Sequence, residues 1–158
     1  MEVRSDRRYP VPAPPATVWA ALERTDDYRS WWPWLRRFEA AGLVEGDVWR
    51  CTIRPPLPYV VRFDLTIETA DPPATVTARL TGDIVGEARI DLAPTGPSGA
   101  SSELRLIAAL SPGSPAFGLL ARLARPLVTR GHDWVLDTGA RQFVDRAVCS
   151  SPDGPSRR

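Results

Sequence analysis

Alternating apolar and polar residues run through much of the chain and predict an antiparallel sheet. Between Tyr59 and Thr69, every second residue is apolar, which is the pattern of a strand with one buried and one solvated face. Turn residues such as Glu45-Gly46-Asp47 and Gly82-Asp83 separate the alternating segments. The two-residue period predicts seven strands, at Val3–Val11, Arg36–Leu43, Val48–Arg54, Tyr59–Thr69, Thr75–Thr81, Ile84–Leu92 and Leu104–Leu110.

Two short helices are predicted between the first and second strands. Proline is tolerated in the first turn of a helix, so the proline-rich segment after Val11 leads into a helix at Ala16–Leu22. Thr25 or Asp26 is a suitable cap for a second helix, which Pro33 ends because proline lacks the backbone N–H.

The apolar spacing becomes helical from Pro115 onwards and predicts one long helix, with Pro126 as the candidate position for a kink. This is the one long amphipathic element available to cover the apolar face of the sheet. The chain is therefore expected to form an α+β fold, a curved antiparallel sheet wrapped around a long C-terminal helix. The predicted inward stripe of that helix is Leu120, Leu123, Leu127, Gly131, Trp134 or Val135, Thr138 and Gln142.

Small residues occupy several positions that the pattern places on the inner face. Dense packing between a sheet and a helix requires larger side chains, so small ones there predict an internal cavity. These residues are Ala78, Gly86, Ala88, Ala108 and Gly131.

Length and charge limit the alternatives. The 158 residues suit one domain, expected at 1–149, followed by a polar tail at 150–158 that is expected to be disordered. The formal net charge is +1, with 20 basic residues, all of them arginine, against 19 acidic ones. Nucleic-acid binding therefore has little electrostatic support and is not expected.

Targeting and cofactor signals are not found in the sequence. Cys51 and Cys149 do not make a disulfide framework, and the start of the chain has no apolar secretory stretch. We expect free thiols, a cytoplasmic location and no stable membrane insertion. No phosphate loop, metal-ligand spacing or serine-nucleophile motif occurs, so no cofactor or metal is expected.

Three residues are candidates for proton transfer: His132, Tyr59 and Asp83. His132 is the one histidine, and neutral imidazole exchanges protons near neutral pH. A structural hydrogen bond is the favoured alternative, because Asp133 projects about 100° away on the helix and is not placed to orient the imidazole. Asp83 fits a turn, or a cavity rim where it pairs with His132 or an arginine, and the Tyr59 hydroxyl suits a ligand or a rim hydrogen bond.

Tryptophans are clustered at the end of the second helix, where they either line a cavity entrance or close the end of the sheet. Arg50, Arg54 and Arg62 are predicted to face solvent, although a strand shifted by one residue would turn them towards a ligand. The candidate ligand contacts are Trp31, Trp32, Trp34, Tyr59, Phe63, Leu80, Gly86, Ala88, Leu106, Leu127, Gly131, Trp134 and Thr138.

Several separated motifs resemble one known superfamily. Tyr9–Trp19 followed by Tyr28–Pro33 is similar to the start of SRPBCC proteins, the polyketide cyclase/dehydrase and START-like superfamily. The resemblance covers residues 3 to 148 and implies a helix-grip fold with a hydrophobic pocket between sheet and helix. Four further segments resemble an actinobacterial branch of this superfamily whose function is unassigned: Gly46–Trp49, Pro55–Tyr59, Gly82–Gly86 and His132–Val135.

Two functions follow as alternatives. In the first, the cavity binds an apolar or aromatic small molecule such as a lipid, isoprenoid or polyketide-like compound. In the second, the chain is a cofactor-independent cyclase or aromatase that moves protons in the same cavity. A weaker third interpretation uses exposed tryptophans to bind a partner protein, and either a monomer or a homodimer is expected.

Overall fold

The computed structural model describes residues 2–149, and the predicted tail at 150–158 lies outside the described residues. Seven antiparallel strands form one sheet in the order β1-β7-β6-β5-β4-β3-β2. The predicted α+β helix-grip fold is confirmed. The strands are β1 (Val3–Val11), β2 (Leu35–Glu39), β3 (Val48–Ile53), β4 (Val61–Asp71), β5 (Thr75–Gly82), β6 (Ile84–Thr95) and β7 (Ser101–Pro112).

The inner face of the sheet follows the predicted alternation. Val61 and Ile67 of β4 are buried, as are Val76, Ala78 and Leu80 of β5. β2 ends four residues earlier than predicted. Its register against β3 shifts between Leu35 and Arg37, so that the extra residue makes a bulge.

The segment between β1 and β2 contains the two predicted short helices. Helix α1 (Pro15–Glu23) begins with its proline in the first turn. A 3-10 turn (Thr25–Asp27) then leads into helix α2 (Tyr28–Trp31).

The C-terminal segment is two helices rather than one. Helix α3 (Pro115–Leu123) is capped by Ser114, whose hydroxyl accepts the N–H of Phe117, and α4 (Arg125–Phe143) follows. The break lies at Ala124, whose backbone is not helical, and Pro126 is in the first turn of α4. A π-helical turn (Val144–Val148) ends the element. No helix within residues 2–149 is long and apolar enough to cross a membrane.

This break corrects part of the predicted stripe. A continuous helix would bury Leu123, but that side chain is 78% exposed. Phe117 and Ala121 of α3 and Val128 of α4 are buried instead, because the break rotates the first helix relative to the second.

Two hydrophobic clusters hold the helices against the sheet at opposite ends. The larger cluster joins α1, α2 and the end of α4, with Trp19, Trp31 and Phe143 among its buried members. The smaller one joins α3 and the start of α4 to β4 through Phe117, Val128 and Val61. The space between these clusters holds the candidate site.

The backbone of β6 requires glycine at position 86, and Gly86 does not line the space under the helix. Its φ is +149°, and a Cβ there would lie 1.9 Å from the carbonyl oxygen of Ala109 on β7. The residue was predicted as a ligand contact because it is small and in phase with the inner face, but its small size is explained by this close approach between strands.

Replacing Gly86 with alanine is therefore expected to destabilise the fold by about 1–3 kcal/mol through backbone strain and overpacking. Gly42→Ala is the matched control, since a Cβ at Gly42 meets nothing within 4 Å. Its expected effect is within about 0.5 kcal/mol. Urea unfolding of both variants measures the difference, and equal stabilities would contradict the assignment.

Candidate ligand-binding site

Two adjoining cavities lie between the inner face of the sheet and α4. The first, the histidine cavity, has a volume of about 220 Å³ and includes Tyr59, Gly131 and His132 in its wall. The second, the aromatic cavity, has a volume of about 280 Å³ and includes Trp32, Trp34 and Trp49. The residues that line both are Ile53, Phe63, Leu65, Ala88, Leu106 and Val135.

A row of small side chains crosses the middle of the sheet where the cavities lie. Ala78 of β5 pairs with Ala88 of β6, which pairs with Ala108 of β7, which pairs with Ser5 of β1. Each side chain ends at or near its Cβ, so the sheet offers little to fill the space below α4. Ala88 lines both cavities, Ala108 lines the histidine cavity and Ala78 lines the aromatic cavity.

The polar groups of the tryptophans around the aromatic cavity are already bonded to the protein. The indole N–H of Trp32 donates to the carbonyl of Gly139 at 2.9 Å, and that of Trp34 donates to Oε1 of Gln142 at 2.9 Å. The Trp49 N–H donates to the carbonyl of Gly42 and to Asp47. These rings therefore present apolar surface to the cavity.

The histidine cavity contains the polar groups. Nε2 of His132 lies 2.6 Å from Oγ of Ser5, which is buried on β1. Burial lowers the pKa of His132 below its ordinary value, with Asp133 opposing the shift and Arg7 adding to it. The imidazole is thus neutral at pH 7, and either it or the Ser5 hydroxyl donates, according to the tautomer.

Tyr59 supplies a second polar group in the histidine cavity. A Cβ on Gly131 would lie 1.8 Å from the Tyr59 hydroxyl and 3.1 Å from Cδ1 of Leu57, so the β3–β4 loop rests on α4 at the point where α4 has no side chain. Burial raises the pKa of Tyr59. Its hydroxyl makes no hydrogen bond with another residue in 2–149, which leaves it available to a ligand.

A set of polar side chains joins β1 to α4 beside the cavities. Arg7 donates to Asp133 at 2.6 Å and to Asp137 at 2.8 Å, and the Tyr9 hydroxyl donates to Asp137 at 2.9 Å. Burial and the Asp137 carboxylate raise the pKa of Tyr9 to about 12. With the bond between Ser5 and His132, these contacts tie α4 to strand β1.

The predicted site residues divide into two groups. Those found in a cavity wall are Trp32, Trp34, Tyr59, Phe63, Leu80, Ala88, Leu106, Gly131 and His132. Trp31 is instead buried against Phe143 with ring centroids 5.7 Å apart, which closes one end of the sheet. Gly86, Leu127, Trp134 and Thr138 also lie outside both walls.

Physical reasons account for Leu127 and Trp134, while Thr138 is buried without lining either cavity. The break at Ala124 turns Val128 into the histidine cavity in place of Leu127, and Trp134 faces an outer groove beside Trp34. Val135 takes the inward position of that turn. Ser5 was missed altogether, although the alternation of β1 placed it on the inner face.

Asp83 lies at the β5–β6 turn and not in either cavity wall. Its carboxylate accepts the backbone N–H of Arg62 at 2.9 Å, which ties the turn to β4. One predicted alternative was a pairing of Asp83 with His132. The structure does not contain this pair, and His132 bonds to Ser5 instead.

Residues 2–149 contain no group of three or more histidine, cysteine or acidic side chains placed to hold a metal ion. Cys51 is buried and Cys149 exposed, both as free thiols. Burial raises the pKa of Cys51 to about 12, so this thiol is protonated and unreactive at neutral pH.

Solved structures share the fold at low sequence identity. An aromatase/cyclase, Zhui from Streptomyces sp. R1128, is 14% identical with a TM-score of 0.74, over 93% of this chain and 94% of that one. A START superfamily protein from Mycobacterium smegmatis is 14% identical with a TM-score of 0.71, over 94% and 99%. Norcoclaurine synthase from Thalictrum flavum is 14% identical with a TM-score of 0.67, over 96% and 89%.

The family comparison covers nearly the whole chain. Among curated protein sequences, none matches this one. The profile described as polyketide cyclase / dehydrase and lipid transport matches residues 2–147. With the seven-stranded sheet, the long C-terminal helix and the cavities between them, this match shows that the chain belongs to the polyketide cyclase/dehydrase and lipid transport family.

Proposed function

We propose that the chain binds an apolar or aromatic small molecule, of the lipid, isoprenoid or polyketide-like kind, between the sheet and α4. The observation that carries this proposal is the pair of adjoining cavities with a common wall around Ala88. Together they fall within the range of about 300–1,000 Å³ typical of small-molecule sites. The family description, which includes lipid transport, supports the same class of ligand.

The walls indicate how affinity and orientation are divided. Apolar ligand surface removed from water contributes roughly 25 cal/mol per Å² before the costs of association. The aromatic cavity offers such surface with its indole N–H groups already bonded elsewhere. Tyr59 and His132 in the histidine cavity are the groups placed to fix the orientation of a polar substituent.

A cofactor-independent cyclase or aromatase is the second candidate function, and the neutral imidazole of His132 favours it. A buried base bonded to a hydroxyl 2.6 Å away can accept a proton from a ligand held against it. Tyr59 is the matching acid in the same wall. Asp83, the third residue considered for proton transfer, is outside the wall and has no role in this scheme.

Filling the common wall tests ligand binding. Ala88→Leu places a larger side chain where the cavities meet and is expected to weaken binding of the apolar probe N-phenyl-1-naphthylamine at least ten-fold, with equal or greater thermal stability. Ala109→Leu is the control, since Ala109 pairs with Glu87 on the other face of the sheet. Fluorescence titration measures both, and unchanged probe affinity in Ala88→Leu would contradict the proposal.

Proton transfer by His132 predicts a large kinetic effect. In the cyclase alternative, His132→Ala lowers the turnover of a linear poly-β-keto thioester by about 10²–10⁴-fold, the usual contribution of a general base. Ser5→Ala, which keeps the imidazole, is expected to lose much less. Product formation followed by mass spectrometry decides, and full turnover in His132→Ala would remove the assigned role.

The pKa of His132 predicts a pH-dependent stability. Because burial lowers this pKa in the folded state from 6.5, the unfolded chain binds more protons once the pH falls below that value. The contribution of the neutral imidazole is fully present above pH 6.5 and is lost as the pH falls towards the folded-state pKa.

Urea unfolding at pH 7.5 and 5.5 measures this effect. His132→Gln is expected to lose less stability between the two pH values than the parent chain, whose sequence contains one histidine. The same loss in both proteins would show that carboxylates, and not His132, account for the change.

A further inference from the structure

An open groove lies on the outer side of the wall formed by Trp34 and Pro55. The groove has a volume of about 520 Å³ and runs between the β2–β3 edge of the sheet and Trp134 of α4. Trp34 lines both this groove and the aromatic cavity, and Pro55 lines both the groove and the histidine cavity. One layer of side chains therefore separates the groove from the apolar interior.

Two arginines, Arg36 and Arg54, line the groove, and no acidic side chain is part of its wall. Both are exposed, and neither makes an ion pair with a residue in 2–149. The neighbouring Arg37 differs, because it pairs with Glu39 at 2.9 Å. The groove thus combines uncompensated positive charge with the aromatic faces of Trp34 and Trp134.

The backbone directs both arginines to this place. Leu35 pairs with Ile53 and Arg37 with Thr52, so Arg36 is the extra residue of the bulge in β2. A bulge re-aims the side chain at its position. The backbone N–H of Arg54 donates to the carbonyl of Trp34 at 2.8 Å. This bond positions the backbone of Arg54 beside the same tryptophan.

Trp34 lies between groove and cavity, against Trp32 with ring centroids 5.8 Å apart. Trp34 packs on Gly139 of α4, where a Cβ would lie 3.3 Å from its ring, and meets Trp134 edge-on at 6.2 Å. Its N–H is bonded to the half-exposed Gln142. A ligand that reached from the groove into the aromatic cavity would pass Trp34. The indole N–H groups around that cavity are already bonded to the protein, so a charged group would stay in the groove.

We propose that the ligand is an amphiphile with an anionic head group, which Arg36 and Arg54 bind in the groove while its apolar chain occupies the cavities past Trp34. This inference rests on the proposed binding function and narrows its ligand class. Guanidinium groups recognise carboxylate and phosphate alike through charge-assisted hydrogen bonds. The head group is therefore a carboxylate or a phosphate.

Three probes with one chain length separate the head group from the chain: decanol, decanoate and decyl phosphate. Isothermal titration of the intact chain is expected to show both anions binding about ten-fold more tightly than decanol, with an advantage that falls as salt is raised. The double variant Arg36→Gln/Arg54→Gln should lose most of this advantage while decanol affinity stays within two-fold. A difference between the two anions then identifies which head group is preferred.

The control is Arg62→Gln/Arg122→Gln, which removes the same charge from two exposed arginines on β4 and α3 that also form no ion pair. It should keep the preference for anions. Equal affinity of the parent chain for decanol and the anions, or equal loss in both double variants, would overturn the head-group site while leaving cavity binding intact. Failure of all three probes to bind the parent chain would overturn both proposals.

Discussion

The structure depends on how α4 is held above the middle of the sheet without filling it. The side chains below α4 are short at the middle of the strands, where four small residues pair across the sheet: Ala78, Ala88, Ala108 and Ser5. The helix is supported elsewhere, by aromatic packing around Trp31 at one end and by the cluster around Phe117 at the other. Large residues at the ends and small ones in the middle leave the space between the sheet and α4.

Polar contacts between β1 and α4 complete this support. They also determine where the side chains that could transfer a proton lie. Arg7 binds two carboxylates of α4, and Ser5 meets His132 one residue from Gly131. Charged groups thus face solvent along β1, while the imidazole and the Tyr59 hydroxyl lie at the wall of the histidine cavity. An interior of this kind supports the proposed binding of an apolar molecule, and His132 is the neutral base in the proposed alternative of proton transfer.

Much of the fold could be predicted because the two-residue period of strands such as β4 is a local property of the sequence. The inner positions of β4, β5 and β6 followed from that period, and so did Phe63, Leu80 and Ala88 in the cavity walls. The family resemblance at both ends of the chain pointed to the same architecture.

The incorrect predictions concern features that do not appear as a period in the sequence. The helix break at Ala124 shifted the inward stripe, so Val128 took the place predicted for Leu127. Gly86 looked like a cavity position, but the reason for glycine there is the carbonyl of Ala109 on the next strand, a contact between distant residues. The bonding of Ser5 to His132, 127 residues apart, likewise depends on tertiary structure.

Native mass spectrometry of the freshly purified chain, compared with its denatured mass, tests the central claim most directly. An unfilled pair of apolar cavities is expected to retain or take up a releasable small molecule, seen as a mass increase that disappears on denaturation. If the native mass stays bare after incubation with fatty acids, isoprenoids and aromatic polyketides, the space between the sheet and α4 does not bind a ligand, and the account is contradicted.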